Sequence, residues 1–262
     1  RHLGAVVSIG GRGAMKIFDC EAYLPNSGNP YLCGDSFEAA DLIRMLDEVD
    51  TEAVLTIPAP EAPLEGSGWE QTNNRTMHTA MAEYPGKILG CCVVNPADGD
   101  AAVDEFEKTV KEWGFSGLKY SPGLEGTAAD LAKAAAEMEI PVTIHTNGSV
   151  DAYERIAGLA KRHPELVMVL EHMGYRFHVD LAIDLARRFE NIYLAPTVTA
   201  AAEPMVVKKA VEEVGAERMV FGSNAPWAAP VFGVEAIRRL RLGDAQEHLI
   251  FRGNFQRIYR LE

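Results

Sequence analysis

The stretch from residue 141 to residue 188, PVTIHTNGSVDAYERIAGLAKRHPELVMVLEHMGYRFHVDLAIDLARR, decides the fold class of this chain. It begins with a short run rich in β-branched residues, 141–146, and continues into VDAYERIAGLAKRH, whose apolar residues recur at helical spacing. The same pair then repeats as the run 166–172 followed by VDLAIDLARRF. This alternation of strand and helix is typical of βαβ units with parallel strands.

The same alternation extends outward over the chain from Met15 onward and gives eight strand–helix pairs. The predicted strands are short and apolar, and they cover residues 16–20, 53–58, 88–94, 115–120, 141–146, 166–172, 191–196 and 218–223. Eight such units in about 250 residues fit a closed barrel better than an open sheet. No glycine-rich GxGxxG motif follows any of these strands, which argues against dinucleotide binding. The sequence therefore predicts an α/β fold, a TIM (β/α)8 barrel.

One barrel domain is expected over residues 15–262, because α/β barrels routinely occupy about 250 residues as a single unit. Residues 1–14 are interpreted as an N-terminal extension, or as a remnant foreign to the natural chain. The last segment, GDAQEHLIFRGNFQRIYRLE, is predicted to form one or two closing helices.

Charge and hydropathy exclude several classes of partner. The chain has 25 basic and 38 acidic residues, a net charge of −13, and no basic tract, so neither nucleic acid nor an anionic membrane is an expected partner. Its apolar runs fall far short of the roughly 20 residues of a membrane helix. The cysteines at 20, 33, 91 and 92 lack metal-finger spacing and are interpreted as buried thiols. We expect a cytoplasmic protein that acts on a small molecule, with homo-oligomerisation left open.

Candidate site residues follow the strands, because catalytic groups of a barrel come from the C-terminal ends of its strands. Strand 1 ends in Asp19-Cys20-Glu21-Ala22-Tyr23, and strict alternation predicts that Asp19, Glu21 and Tyr23 share one face. Tyr23 is interpreted as a wall of a substrate pocket. Strand 5 ends in His145, whose side chain is predicted to point into the barrel.

The other strand ends contribute further polar groups. Strand 6 delivers His172, predicted to lie on the face of Leu170, and strand 4 contributes Lys119. Strand 8 is followed by Asn224 and by Trp227, a second candidate for the pocket wall. The remaining histidines lie in helical patterns, at helix ends or in the tail, and we assign them no role.

These side chains together can bind a cation and an anionic substrate. A carboxylate such as Glu21, the imidazoles of His145 and His172 and the carboxamide of Asn224 can together bind a divalent metal, with zinc the first choice, because imidazole and carboxylate groups suit that ion. Lys119 and Arg176 are candidates for binding a substrate carboxylate. The mouth of the barrel is therefore the predicted site.

At these strand ends the chain resembles the amidohydrolase superfamily, on the branch that includes aminocarboxymuconate-semialdehyde decarboxylase and the resorcylate decarboxylases. The segments that carry the resemblance stand in the family's order from Met15 to Leu261: FDCEAYL, GFSGLKYSPG, IPVTIHT, MVLEHMG, RMVFGSNAPW and GNFQRIY. The resemblance implies a barrel of the metal-dependent hydrolase kind that acts on a small molecule at its C-terminal mouth.

The resemblance also implies how the metal site is altered. The family holds its metal with two histidines of strand 1, one of strand 5 and an aspartate of strand 8, and those positions are Glu21, Tyr23, His145 and Asn224 here. Related decarboxylases also carry glutamate at the first position, whereas a phenol and a carboxamide bring no charge to a cation. His172 matches the strand 6 histidine that polarises the substrate or activates water in the family. The implied site is therefore a reduced one.

Three functions stay open at this point. The first is an enzyme that hydrolyses or decarboxylates its substrate with the reduced site of Glu21, His145 and His172. The second is a metal-free hydrolase of the lactonase kind, with His145 or His172 as general base and Asn224 as donor to an oxyanion. The third is a catalytically silent member that binds a ligand or a partner. The family resemblance favours the first.

Overall fold

The computed structural model of the protein describes residues 15–25, 37–59, 69–120, 127–146, 149–175 and 177–261, and every structural statement below concerns these residues. Seven parallel strands form one curled sheet in chain order. They are β1 (Ile17–Pro25), β2 (Thr51–Ala59), β3 (Ile88–Cys92), β4 (Gly117–Tyr120), β5 (Val142–His145), β6 (Met168–Glu171) and β7 (Ile192–Ala195).

Helices connect the strands and cover the outside of the sheet, as the alternating pattern predicts. They are α1 (Ala39–Asp47), α2 (Trp69–Glu83), α3 (Asp100–Trp113), α4 (Thr127–Glu137), α5 (Val150–Arg162), α6 (Val179–Arg188), α7 (Thr197–Ala202), α8 (Met205–Val214), α9 (Pro230–Arg239), α10 (Asp244–His248) and α11 (Asn254–Tyr259). The resulting architecture is the predicted TIM-barrel fold.

Residues 219–225, which we call the closing segment, join the two edges of the sheet. On one side the Val220 N–H donates to the Leu194 carbonyl of β7 at 3.0 Å. On the other side the Cys20 N–H of β1 donates to the Phe221 carbonyl at 2.8 Å. The closing segment thus occupies the place of the predicted eighth strand and closes the barrel.

The closing segment is nevertheless not a regular strand, so the prediction of an eighth strand was wrong in that respect. The Ser223 N–H donates to the side chain of Asp19 at 2.9 Å instead of to a neighbouring carbonyl. One residue later, Asn224 has a left-handed backbone with φ of 62°, which no strand adopts. These two features interrupt the ladder at the mouth.

A β-bulge in β1 changes which side chains face the barrel interior. Asp19 pairs with Val54 and Ala22 pairs with Thr56, so β1 uses one more residue than β2 over this stretch. The alternation shifts by one residue at the bulge. Tyr23 therefore packs in the interior, whereas Asp19 pairs with a residue of the outer core. The prediction that Asp19 and Tyr23 share a face is wrong for this reason.

The C-terminal helix closes the N-terminal end of the barrel. Phe255 of α11 is fully buried, and its ring stacks on that of Phe18 of β1 with centroids 5.1 Å apart. Tyr259 packs against Phe255 from the same helix, at 4.5 Å. The predicted closing helices are therefore present, and they fill the end of the barrel opposite to the mouth.

Three of the four cysteines, at 20, 91 and 92, are buried free thiols as predicted, and Cys33 lies outside the described residues. Among the helices of the described ranges, none has the length and apolarity that crossing a membrane requires. Residues 1–14 also lie outside the described ranges, so their interpretation as an extension stays a prediction.

Candidate active site

The C-terminal ends of the strands bring the predicted site residues into one network. Five of them contact one another directly or through one shared neighbour: Glu21, Tyr23, Lys119, His145 and His172. Asn224 joins the network through its backbone N–H, which donates to the Glu21 carbonyl at 2.8 Å. Trp227 packs edge-on against the ring of Tyr23, with centroids 4.7 Å apart. Arg176 lies outside the described residues.

Glu171, which the sequence analysis did not select, lies at the centre of this network. It is the last residue of β6 and is fully buried. Its Oε2 atom accepts a short hydrogen bond from Lys119 Nζ and lies 3.4 Å from both Tyr23 Oη and His145 Nδ1. Burial alone would raise the pKa of Glu171, but Lys119 and the two histidines lower it to about 2. Glu171 is therefore an anion at neutral pH.

The turn after β6 explains why Glu171 was missed and His172 was placed on the wrong face. The strand ends at Glu171, which continues the inward face of Val169, while Leu170 packs in the outer core against the helices. His172 follows with a left-handed backbone, φ 60°, which turns its side chain back toward the mouth. His172 therefore does not share the face of Leu170. Alternation from Val169 was the sequence feature that could have identified Glu171.

His172 and His145 form a pair of hydrogen-bonded imidazoles. His172 Nε2 lies 3.0 Å from His145 Nδ1, and His172 Nδ1 lies 2.5 Å from Thr197 Oγ1. Two ring nitrogens at this distance require one proton, or one cation, between their lone pairs. Burial lowers the pKa of His172 to about 3, so its ring is neutral at physiological pH. His145, by contrast, is partly exposed at the mouth.

Glu21 is the second buried carboxyl group of the site. Its Oε1 atom lies 3.2 Å from Tyr23 Oη and 3.6 Å from His172 Nε2. Burial, and after it the charge of Glu171, raise the pKa of Glu21 well above its usual value. Within the described residues, Glu21 Oε2 and Glu171 Oε1 are both buried without a hydrogen-bond partner. Two orphaned carboxylate oxygens within one hydrogen-bonded network are unusual in a folded protein.

Lys119 and Tyr23 connect the two carboxyl groups. Lys119 Nζ donates to Tyr23 Oη at 3.2 Å as well as to Glu171, and its ammonium lies 5.6 Å from the centre of the tyrosine ring. Burial and the neighbouring carboxylates raise the pKa of Tyr23 well above its usual value, so the side chain stays a neutral phenol. Tyr23 therefore orients the two carboxyl groups and adds no charge of its own.

Several residues around the mouth hold a left-handed backbone. They are His172, Met173, Tyr175, Thr197 and Asn224, with φ between 40° and 62°. Such conformations cost roughly 1–3 kcal/mol each for residues other than glycine and cluster at functional sites. Thr146 stabilises one of these turns, since its hydroxyl donates to the Glu171 carbonyl and accepts from the Gly174 N–H.

Asp19 fixes β1 to the closing segment just below the network. Its Oδ1 atom accepts from the backbone N–H groups of Glu21, at 3.0 Å, and Ser223, at 2.9 Å. Burial raises the pKa of Asp19 to about 6 despite these bonds. We call the contact between β1 and the closing segment the seam. Asp19 positions the residues on either side of the seam and lies outside the network itself.

The donor atoms of the site fit a divalent metal on geometry. Single atoms of His145, Glu171 and His172 all lie within 4.8 Å of one another, and Glu21 Oε1 adds a fourth donor 3.6 Å from His172 Nε2. Ligands bonded at about 2.0–2.2 Å in a tetrahedral site lie roughly 3.4 Å apart. The orphaned oxygens, Oε2 of Glu21 and Oε1 of Glu171, are further donors on the same two carboxyl groups. The set therefore fits, with Glu171 added to the predicted ligands.

Comparison with known proteins supports the same family. A family model described as amidohydrolase matches residues 59–261. A γ-resorcylate decarboxylase from Polaromonas sp. is 20% identical over 310 residues, covering 94% of each chain.

Solved structures share the fold. A 2,6-dihydroxybenzoate decarboxylase from Rhizobium superposes with a TM-score of 0.79 at 15% identity, covering 94% of this chain and 99% of the other. A dihydroxybenzoic acid decarboxylase from Polaromonas sp., solved with manganese, has a TM-score of 0.77 at 16% identity, covering 94% and 97%. At such identities the structures establish the architecture, and the family model establishes the lineage. The chain belongs to the amidohydrolase family of enzymes, as the segments at its strand ends predict.

Proposed function

We propose that this protein is a lyase that removes CO2 from a small hydroxylated aromatic carboxylate at the barrel mouth. The observation that carries the proposal is the imidazole pair, in which the partly exposed His145 is backed by the buried, neutral His172. The relatives support the same chemistry, because they are decarboxylases named for γ-resorcylate and 2,6-dihydroxybenzoate.

His145 is the proton donor in this proposal. Both of its hydrogen-bonding contacts among the described residues use Nδ1, toward Glu171 and His172, which leaves Nε2 for the substrate. The proton on Nε2 adds to the ring carbon that bears the carboxylate. The bond to the carboxyl carbon then breaks, its electron pair returns to the ring, and CO2 leaves. Glu171 Oε2, 3.4 Å from His145 Nδ1, holds the ring of this general acid in place.

The surrounding side chains suit an aromatic substrate with a negative charge. Tyr23 and Trp227 form an edge-to-face pair at the mouth, and Tyr175 packs 4.5 Å from the ring of His172. The ring of an aromatic substrate can pack against the faces and edges of these side chains. We assign binding of the substrate carboxylate to Lys119 and Arg176 and a hydrogen bond to Asn224.

A divalent ion offers a second way to supply positive charge. Glu21, His145 and His172, with Glu171, would hold it, and it would act as a Lewis acid toward the substrate oxygens. His145 would then be a ligand through Nδ1 instead of a proton donor. Lys119 already provides a cation at Glu171, which is why we assign the proton to His145.

The test is CO2 release in D2O, before and after treatment with a chelator, from 2,6-dihydroxybenzoate and from 5-carboxyvanillate, for which another decarboxylase of this fold is named. We expect CO2 together with one deuterium at the ring carbon that carried the carboxylate, observed by mass spectrometry and NMR. His145→Gln should lower kcat at least a hundredfold, the order of magnitude of a lost general acid. Absence of CO2 from every hydroxybenzoate tested would contradict the proposal.

Hydrolysis of a lactone is the second candidate. It is favoured by one feature: Asn224, in its left-handed conformation at the mouth, carries a carboxamide that can donate to an oxyanion but cannot act as an acid. In that reaction His145 would accept a proton from water. A panel of lactones assayed beside the benzoates separates the two, because only hydrolysis produces acid without CO2.

A further inference from the structure

The Lys119–Glu171 pair lies inside the set of atoms that fits a metal ion. Glu171, one of the candidate ligands, already accepts from Lys119 Nζ through Oε2, the oxygen that lies 3.4 Å from His145 Nδ1, and the lysine side chain is only 20% exposed. The second donor contact of the ammonium, to Tyr23 Oη at 3.2 Å, holds it on the inner side of the mouth. The cation of this lysine is therefore adjacent to the place that a metal would take.

The charges of the site show what the ammonium does there. Glu171 is a fully buried anion, and a buried carboxylate without a cation nearby is strongly disfavoured. Lys119 neutralises it. A divalent ion placed among the same donors would meet the lysine charge within a few ångströms, at a position with little water to screen it.

We propose that the Lys119 ammonium is the resident cation of this site and competes with divalent metal for Glu171. Its removal then converts Glu21, His145, Glu171 and His172 into a tight metal site. The inference rests on the proposed location of the site and not on decarboxylation, so a test without substrate distinguishes the failure of one from the failure of the other.

The test compares metal affinity in the parent and in Lys119→Met. Both proteins are treated with a chelator, dialysed and titrated with zinc chloride and manganese chloride by isothermal calorimetry. We expect Lys119→Met to bind zinc at least a hundredfold more tightly than the parent, which is about 2.8 kcal/mol. The reason is that the repulsion between the ammonium and the metal ion is gone, and Glu171 is free to ligate the metal.

Two controls separate charge from other effects. Lys119→Arg keeps the charge and should stay within about threefold of the parent in zinc affinity. Lys133→Met removes a lysine from the exposed face of α4, where it pairs with Glu137 at 3.8 Å, and should match the parent. The double variant Lys119→Met/Glu171→Gln identifies the ligand. If adding Glu171→Gln abolishes the gain in zinc affinity of Lys119→Met, the new affinity is assigned to Glu171.

Thermal unfolding gives a second measurement. Without metal, Lys119→Met should unfold at a lower temperature than the parent, because Glu171 loses its partner; saturating zinc should raise its midpoint more than that of the parent. If the methionine variant does not fold, Lys119→Gln gives the same comparison, since a carboxamide can still donate to Glu171 without a charge. Equal zinc affinity in the parent and in the neutral variants overturns the proposal, and so does an equal gain in Lys119→Arg.

Discussion

His172 combines three features that rarely meet in one residue. Its backbone is left-handed, its ring is 2% exposed, and burial lowers its pKa to about 3. The left-handed backbone costs roughly 1–3 kcal/mol, and the three features together hold a neutral ring nitrogen 3.0 Å from His145. The Thr199 hydroxyl donates to the His172 carbonyl at 2.7 Å, which fixes the turn from the other side.

We expect His172→Ala to lower kcat/KM for decarboxylation at least a hundredfold, because His145 loses the group that orients it. His163→Ala is the matched control. His163 lies at the end of α5, where its ring contacts Glu165 at 3.7 Å on the outside of the barrel. Steady-state assays of CO2 release with both purified variants decide the matter. An equal loss in both would mean that the imidazole pair has no special role.

Sequence alone predicted most of these residues but not their geometry. The strand ends indicated Glu21, Tyr23, Lys119, His145 and His172, because parallel strands bring their C-terminal ends together. Glu171 lies on the inward face that alternation from Val169 predicts, but it was not selected because the strand was expected to end one residue later, at His172. The end of β6 depends on a left-handed turn, and although histidine is enriched at positive φ, Met173, which shares this conformation, is not.

At the scale of elements, the closing segment packs closely against β1 and α7 at the barrel mouth. A Cβ atom added to Gly222 would lie 3.0 Å from Glu21 Cβ, 3.0 Å from Thr197 Cγ2 and 3.2 Å from Cys20 Sγ. Only glycine lets the segment approach β1 this closely. The strand pattern predicted a regular eighth strand here, because backbone hydrogen bonds taken by side chains such as Asp19 leave no periodic signal.

Gly222→Ala should therefore lower the free energy of unfolding by about 1–3 kcal/mol, the usual cost of overpacking. It should also weaken activity, because one of the two nearest atoms that the new methyl group would displace belongs to Glu21. Urea denaturation and the CO2 assay measure the two effects. As a control, Gly158→Ala places a methyl group on helix α5, 3.4 Å from an arginine side-chain nitrogen, and should leave activity unchanged. Unaltered stability in Gly222→Ala would show that the seam is looser than described.

At the scale of the whole molecule, the two ends of the barrel have different roles. One end is packed core that stabilises the fold, and the other carries the candidate site. The N-terminal end is filled by Phe255 and Tyr259 of the last helix, which stack beneath Phe18. The opposite end carries the charged network. The alternating sequence pattern predicted this division, because a barrel interior is a packed core with its site at one face.

Phe255→Ala should cost about 3–5 kcal/mol of unfolding free energy by leaving a cavity in the barrel interior. The folded fraction should keep kcat/KM within about threefold, because the change lies at the end away from the network. Phe232→Ala is the stability control, since that side chain is 65% exposed on α9 and its loss should change stability by less than about 0.5 kcal/mol. A large loss of kcat/KM in folded Phe255→Ala would contradict the separation.

The hydrogen bond from the Ser223 N–H to Asp19 joins residues that are 204 positions apart in the chain. Loop-closure entropy opposes contacts of such sequence separation, so contacts across the seam are expected to form late in folding. Glu21 stands on one side of that seam and Asn224 on the other. A chain still emerging from the ribosome would thus carry β1 to β7 and both histidines without a finished site. The site would be complete only when the closing segment docks against β1.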